Sequence, residues 1–272
     1  MRVQITNDDG VEAEGLAHLA AAMVELGHEV IVVAPRWEMS GSGASTGPLH
    51  SGTEFEVSQH TIAGLDVAVH AVAGPPALSV MAARLGAFGV VPDVVVSGIN
   101  PGMNTGRGAL HSGTVGAALT AQAFGMSALA VSLDVPTAQP GDRASVGTPG
   151  SSAAPGVQPQ WATARRVAQI AMDWLAEAPR RTVLNVNVPD RRVGELEGVR
   201  WARAAATSGV RASVAPAGPG RLRLELTPSD LVLRADTDTA RVQAGYVTVT
   251  TLDGITAGAE IPVAEALEAA LR

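Results

Sequence analysis

Apolar and polar positions along this chain predict strands and helices in alternation. Val3 and Ile5 mark a short strand, Arg2–Thr6, which runs into Asn7-Asp8-Asp9-Gly10. In Gly15–Leu26, Leu16, Leu19, Met23 and Leu26 recur at the i, i+3, i+7, i+10 spacing of one helical face, and Gly27 stops the helix. Glu29–Ala34 is then an almost unbroken β-branched run, the pattern of a strand covered on both faces, and Pro35 closes it. Strand, helix and strand between Arg2 and Pro35 make a βαβ unit.

The same grammar returns downstream. Val90–Ser97 contains a buried strand, Thr114–Phe124 reads as a helix of small residues, and Ala128–Leu133 is another strand. Glu54–Val57 and Asp66–Val72 alternate on either side of Ala63-Gly64 and predict a β-hairpin arm. Thr137–Gln160 is rich in Pro, Gly, Ser and Ala and predicts a flexible insertion. Trp161–Ala178 is amphipathic, with Val167, Ile170, Trp174 and Leu175 on one side, and Thr182–Val188 is a further core strand ended by Pro189. Beyond it come β-type segments at Arg221–Leu226, Leu231–Arg234 and Tyr246–Thr250, and a short helix at Val263–Leu271. The expected fold is α/β: a doubly wound, mostly parallel sheet with a hairpin arm and a β-rich C-terminal appendage. Residues 1–190 form the core, interrupted by 137–160, and 191–272 form the β-rich segment with its terminal helix.

Composition narrows the chemistry. The 272 residues contain no cysteine, which excludes a disulfide scaffold, a thiolate zinc site and a cysteine nucleophile. All 19 basic residues are arginine, so a lysine Schiff base and a P-loop lysine are excluded as well. With 26 acidic residues the net charge is −7, and aromatics make up 3%; neither favours binding of duplex nucleic acid. No apolar run is long enough to span a membrane, and the first residues enter a strand with no apolar leader, so a cytoplasmic protein is expected. An anionic substrate would need something other than net charge to attract it, and a bound metal is the simplest candidate.

Three strand ends carry oxygen donors or glycines: Asn7-Asp8-Asp9-Gly10, Ser40-Gly41-Ser42-Gly43, and Ser97-Gly98-Ile99-Asn100-Pro101-Gly102-Met103-Asn104. In an open parallel sheet such ends converge on one crevice. Adjacent Asp8 and Asp9 repel each other unless a cation or several N–H donors offset the charge. With the Ser40 hydroxyl and the Asn100 amide oxygen the donors are all oxygen, a set that suits Mg²⁺, Mn²⁺ or Ca²⁺. The plainer reading is that Asp-Gly makes a turn and Asp9 caps the next helix. Ser112-Gly113-Thr114 at a helix start forms an anion site, or else Ser112 is an ordinary N-cap.

In order and spacing, Asn7-Asp8-Asp9-Gly10, Ala34-Pro35 with Ser40-Gly41, Ser97-Gly98-Ile99-Asn100 with Gly102 and Asn104, and Ser112-Gly113-Thr114-Val115 resemble the SurE (survival protein E) family. Asn185-Val186-Asn187-Val188-Pro189 and Gly245-Tyr246-Val247-Thr248-Val249-Thr250 look like its later landmarks, so the resemblance covers residues 1–255. It implies a Rossmann-like core and a metal-dependent phosphomonoesterase that converts nucleoside 5′- or 3′-monophosphates to nucleoside and phosphate. It implies one divalent cation per subunit, Mg²⁺ or Mn²⁺ before Ca²⁺, on Asp8, Asp9, Ser40 and Asn100. Asn104, Ser112, Gly113 and Thr114 are implied to receive the phosphate, with Asp8, Asp9 and Asn104 acting in catalysis. The C-terminal segment is implied to assemble a homodimer or homotetramer. The partner expected is a small phosphorylated substrate, with neither duplex nucleic acid nor membrane.

Two positions depart from the family pattern: Leu78, where an Asp is common, and His111, where a Tyr is common. His111 is either a general acid for the leaving alkoxide or a surface residue. Arg107 is either a phosphate contact or a solvated cation, and Trp37 either stacks on a base or packs under its loop. Rival functions are a phosphatase for a non-nucleotide phosphomonoester, a nucleotide-binding module without turnover, and a nucleoside hydrolase, which calls for more carboxylates in the first motif.

Overall fold

β1 (Arg2–Thr6), α1 (Glu14–Glu25) and β2 (Glu29–Pro35) form the first βαβ unit, with β1 parallel to β2. The computed structural model describes residues 1–89, 91–136, 157–207, 210–228, 232–256 and Glu268. On one side of β2 lies β4 (Ala68–Val72), parallel to it, with β3 (Val57–His60) antiparallel on the outer edge. On the other side of β1 come β5 (Val94–Pro101), β6 (Ser127–Asp134) and β7 (Val183–Pro189), all parallel. β11 (Val247–Leu252) pairs antiparallel with β7, and β8 (Val199–Trp201) ends the sheet. The nine-stranded order β3-β4-β2-β1-β5-β6-β7-β11-β8 therefore winds outward in both directions from β1 and β5. Their carboxyl ends flank the topological switch point, where open α/β sheets bind ligands.

Side chains alternate across each strand, and the two faces are covered by different helices. Val3, Ile5, Val94 and Val96 pack against α1 and α4 (Trp161–Glu177). Val95, Ala128 and Ala130 pack against α3 (Gly113–Ala123). Ile31, Val33 and Leu78 form a smaller cluster under α2 (Pro76–Arg84). Most small residues of α3, including Gly116, Ala117 and Ala121, are buried, so this helix lies close on the sheet and brings its first turn to the switch point.

Several elements differ from the sequence pattern. The hairpin is present, but it is hydrogen-bonded along the edge of the main sheet and starts at Val57. α2 was not foreseen because Gly74-Pro75-Pro76 reads as a break; proline is well placed at a helix start, where its missing N–H costs nothing. α5 (Asp238–Gln243) is too short to announce itself. β5 runs past Ser97 to Pro101, so Asn100 stands on a strand. Of the segment 191–272, β8 and β11 complete the main sheet, and β9 (Val210–Gly218) with β10 (Arg221–Pro228) forms a separate antiparallel pair.

The strand expected at Leu231–Arg234 is corrected: Val232–Arg234 is irregular, because the Thr237 N–H and hydroxyl both return to the Arg234 carbonyl, at 3.1 and 2.7 Å, in a turn. Most of the expected insertion and of the helix at Val263–Leu271 lies outside the described residues. Among those described, no helix is long and apolar enough to cross a membrane.

Candidate active site

Pairing of Thr6 with Ser97 fixes the end of β1 beside β5. The chain then turns, held by the Asn7 amide on the Gly10 carbonyl at 2.9 Å. Asp8 is fully buried. Its Oδ2 accepts the Gly113 N–H at 2.9 Å, and its Oδ1 accepts the Thr114 hydroxyl. The first turn of α3 thus grips a carboxylate, using the unpaired N–H groups and positive end of a helix. Asp9 lies on the side of α1 and α4, where it lines a cleft of about 320 Å³ with Gly15, Pro101 and Trp161. Its Oδ2 is buried and has no hydrogen-bond partner among the described residues.

Burial, the larger cause, pushes both acids above the usual carboxylate range, and the nearby Glu38 adds to it. The charge of Asp8 raises Asp9 further, whereas the Thr114 hydroxyl partly offsets the rise at Asp8. A buried and a half-buried carboxylate whose charged neighbours among the described residues are each other and a glutamate hold both charges poorly unless a cation joins them.

Ser40 sits on the loop after β2, half-buried, with its N–H on Glu38 Oε1 at 2.8 Å. The Met39 N–H bonds the Asp8 carbonyl at 2.6 Å, and the Gly43 N–H bonds the His111 carbonyl at 3.1 Å. A methyl group at Gly116 would stand 2.1 Å from the Gly43 oxygen, so this loop rests directly on α3. Asn100 is buried; its Nδ2 donates to the Gly102 carbonyl at 2.7 Å, which leaves Oδ1 as the atom to offer a cation. The four residues expected to hold a metal therefore come from three chain segments around one switch point.

Asn104 is buried in an amide network. Its N–H donates to Asn187 Oδ1 at 2.8 Å, and its carbonyl accepts from Asn185 Nδ2 at 2.8 Å and Asn187 Nδ2 at 3.2 Å. Its Nδ2 donates to Ser132 Oγ at 2.9 Å, while Oδ1 is buried without a partner. Ser112 caps α3, its Oγ accepting the Val115 N–H at 3.1 Å. Gly113 and Thr114 serve Asp8, a task the resemblance did not imply.

His111 and Arg107 lie exposed on the 3₁₀ turn Gly106–His111. Trp37 is 50% exposed, with the Arg36 guanidinium 5.7 Å from its ring centroid. Leu78 is buried in the cluster under α2.

Sequence reasoning missed three residues. Ser42 Oγ is buried without a partner, and both it and Asp8 Oδ2 lie within 2.8 Å of where a β-carbon on Gly113 would stand. Asn185 and Asn187 were noticed as landmarks but given no task. Two amides in an otherwise valine-rich core strand are costly without partners, and that cost is the signal that could have found them.

Residues 3–210 match the family model described as Survival protein SurE. The chain is 38% identical over 208 residues to a protein of Xylella fastidiosa (strain M12) named 5′-nucleotidase SurE, covering 75% of this chain and 70% of that protein. It is 34% identical over 257 residues to one of Edwardsiella ictaluri (strain 93-146) named 5′/3′-nucleotidase SurE, covering 93% and 89%. The crystal structure of the SurE protein from Aquifex aeolicus superposes with a TM-score of 0.73 at 25% identity, covering both chains in full.

Proposed function

This chain belongs to the SurE family, and from that premise we propose that it is a metal-dependent 5′/3′-nucleotidase, releasing phosphate from nucleoside monophosphates. The observation that carries the reading is a carboxylate pinned by the start of α3 beside a second, half-buried carboxylate whose inner oxygen has no partner among the described residues, at the switch point of the sheet.

The residues present fit a hard divalent cation. Among the described residues Asp9 Oδ2 has no hydrogen-bond partner and no cationic side chain offsets the burial that pushes both acids up. The donors Asp8, Asp9, Ser40 and Asn100 offer only oxygen, which suits one Mg²⁺ or Mn²⁺ per chain, or Ca²⁺, better than zinc. When bound, the ion neutralises the carboxylates and draws charge from the phosphoryl group.

The chain's own residues do the rest. Gly113 and Thr114 hold Asp8 in place for the cation. Turning the Asn104 amide over would let its Oδ1 accept the Ser132 hydroxyl proton and release Nδ2 as a donor to a phosphoryl oxygen. The Ser112 hydroxyl accepts the cap bond and keeps its own proton for the phosphate. Asp9 orients the attacking water and takes one of its protons as the water oxygen forms the new P–O bond and the ester P–O bond breaks. The departing alkoxide takes a proton, for which His111, exposed just before Ser112, is our candidate donor. Arg107, exposed on the same turn, is a candidate phosphate contact.

A nucleoside hydrolase is less well supported: among the described residues no group of three or more His, Asp or Glu side chains is placed to hold a metal. We extend the proposal to a cytoplasmic homodimer or homotetramer. Its support is the apolar exposure of Val214 and Leu224 on β9–β10 and of Val199 and Trp201 on β8; size exclusion with light scattering tests it.

The test of the central reading is phosphate release from nucleoside monophosphates, sugar phosphates and a chromogenic phosphate ester, with Mg²⁺, Mn²⁺, Ca²⁺ or a chelator. Cation-dependent turnover of nucleotides is expected. Turnover confined to sugar phosphates, or binding without release, contradicts it.

A further inference from the structure

Asp8 and Asp9 look into different surroundings. Asp8 is packed directly against the start of α3, where a single added carbon at Gly113 would meet both Asp8 and Ser42 within 2.8 Å. Asp9 instead forms part of the wall of the cleft of about 320 Å³ between the start of α1 and the start of α4. We infer that this cleft is the subsite for the nucleoside of the substrate, an inference that rests on the nucleotidase reading above.

Charge comes first. Among the described residues, the charged side chains on the cleft wall are Asp9 and Glu14, and no arginine lines it. Such a wall repels phosphate and leaves the cleft to the uncharged end of a nucleotide, while the phosphoryl group meets Asp9 at the cation.

Shape and chemistry agree. The volume is at the lower end of small-ligand pockets, about 300 Å³ and upward, enough for one flat heterocycle and its sugar. Pro101, Val135, Val157 and Pro159 give apolar walls, and Gln158 and Glu14 give hydrogen-bonding edges. A nucleobase has the same make-up, with apolar faces and a polar rim.

The remaining wall is closely packed. The Trp161 ring stacks on His18 with centroids 5.9 Å apart and planes 21° from parallel. Gly15 fits between this ring and the end of β5, because a β-carbon there would stand 2.0 Å from the Ile99 carbonyl oxygen and 3.2 Å from the indole. A preformed wall spares the ordering cost that a mobile one imposes on binding.

The experiment compares AMP with glycerol 2-phosphate, whose small alcohol does not need the cleft. Val157→Trp fills the cleft, and Gln158→Ala, at an exposed position, removes a polar edge without threatening the fold. For AMP, KM should rise about tenfold in the first and a few-fold in the second, with kcat little changed. For glycerol 2-phosphate both variants should stay within about twofold of wild type. Adenosine, measured by equilibrium dialysis, should lose affinity in step with the KM of AMP.

Equal losses on the two esters, or unchanged KM and adenosine affinity in both variants, overturn the inference. So does a rise in KM for AMP from Trp37→Ala with none from Val157→Trp, which would move the base to the loop after β2. If wild type acts on AMP and the variants do not change its KM, only the cleft assignment falls. If wild type releases phosphate from no nucleoside monophosphate, the nucleotidase reading itself fails.

Discussion

The two ends of the parallel sheet carry cavities of nearly equal size and opposite character. At the amino end a cavity of about 340 Å³ is lined by Arg2, Arg84, Arg180 and Asp93. Asp93 there is held by two side-chain bonds from Arg2, at 2.7 and 3.3 Å, and by the Arg2 backbone N–H at 2.9 Å, which together draw its pKa below the usual carboxylate range. Arg84, in the last turn of α2, faces the negative end of its helix. At the carboxyl end, Asp8 is buried and Asp9 half-buried with no such cation among the described residues, and their pKa values move the opposite way. Volume does not separate the two ends, but charge does. A carboxylate already paired within the chain has its charge satisfied there, and carboxylates left without a cation are available for chemistry.

The contrast is broken most severely by removing the uncompensated charge. Asp8→Asn and Asp9→Asn should each cost on the order of a thousandfold in phosphate release, several kcal/mol of transition-state stabilisation, with the fold retained by circular dichroism. Near-normal turnover in either variant would show that these charges are not needed. Thr114→Val removes the hydroxyl that orients Asp8 and should lower activity by about ten- to a hundredfold, whereas Thr114→Ser should keep most of it.

Asn187→Leu strands the buried N–H of Asn104 and should lower stability to urea by about 1–3 kcal/mol, with a raised KM.

The pH dependence of cation binding sharpens the comparison further. Burial favours the protonated acids in metal-free protein; that contribution is present at low pH and is lost as pH rises through their raised pKa values. A cation competes with these protons, so the increase in melting temperature from added Mn²⁺ should be larger near about pH 8 than near about pH 5. An increase that is the same at both, or larger in acid, contradicts the assignment.

Asp93→Asn at the opposite end should have the smallest effect. Its ion pair is exposed and screened, so melting temperature should move little and kcat/KM not at all.

Much of this was legible in the residues themselves. The βαβ unit announced itself through the helical spacing of Leu16, Leu19, Met23 and Leu26 and the β-branched run after Glu29. The motifs at Asp8, Ser40 and Asn100 could be placed at one crevice because strand ends in such sheets share an edge. α2 was hidden by Gly74-Pro75-Pro76, since the same residues mark a break or a helix start and only packing against Ile31 and Val33 decides. The grip of α3 on Asp8 was hidden for another reason. Gly113 and Thr114 can donate to a phosphate or to a carboxylate, and sequence does not tell which lies nearer. Ser42 was passed over because its role depends on contact with a glycine 71 positions away in the chain.

The most direct test of the central claim is titration of chelator-treated protein with Mn²⁺, followed by electron paramagnetic resonance, for wild type and Asp9→Asn side by side. The account predicts one tight ion per chain in wild type, released by chelator, and a loss of that binding in the variant. Equal binding by both proteins, or none by wild type, would contradict it.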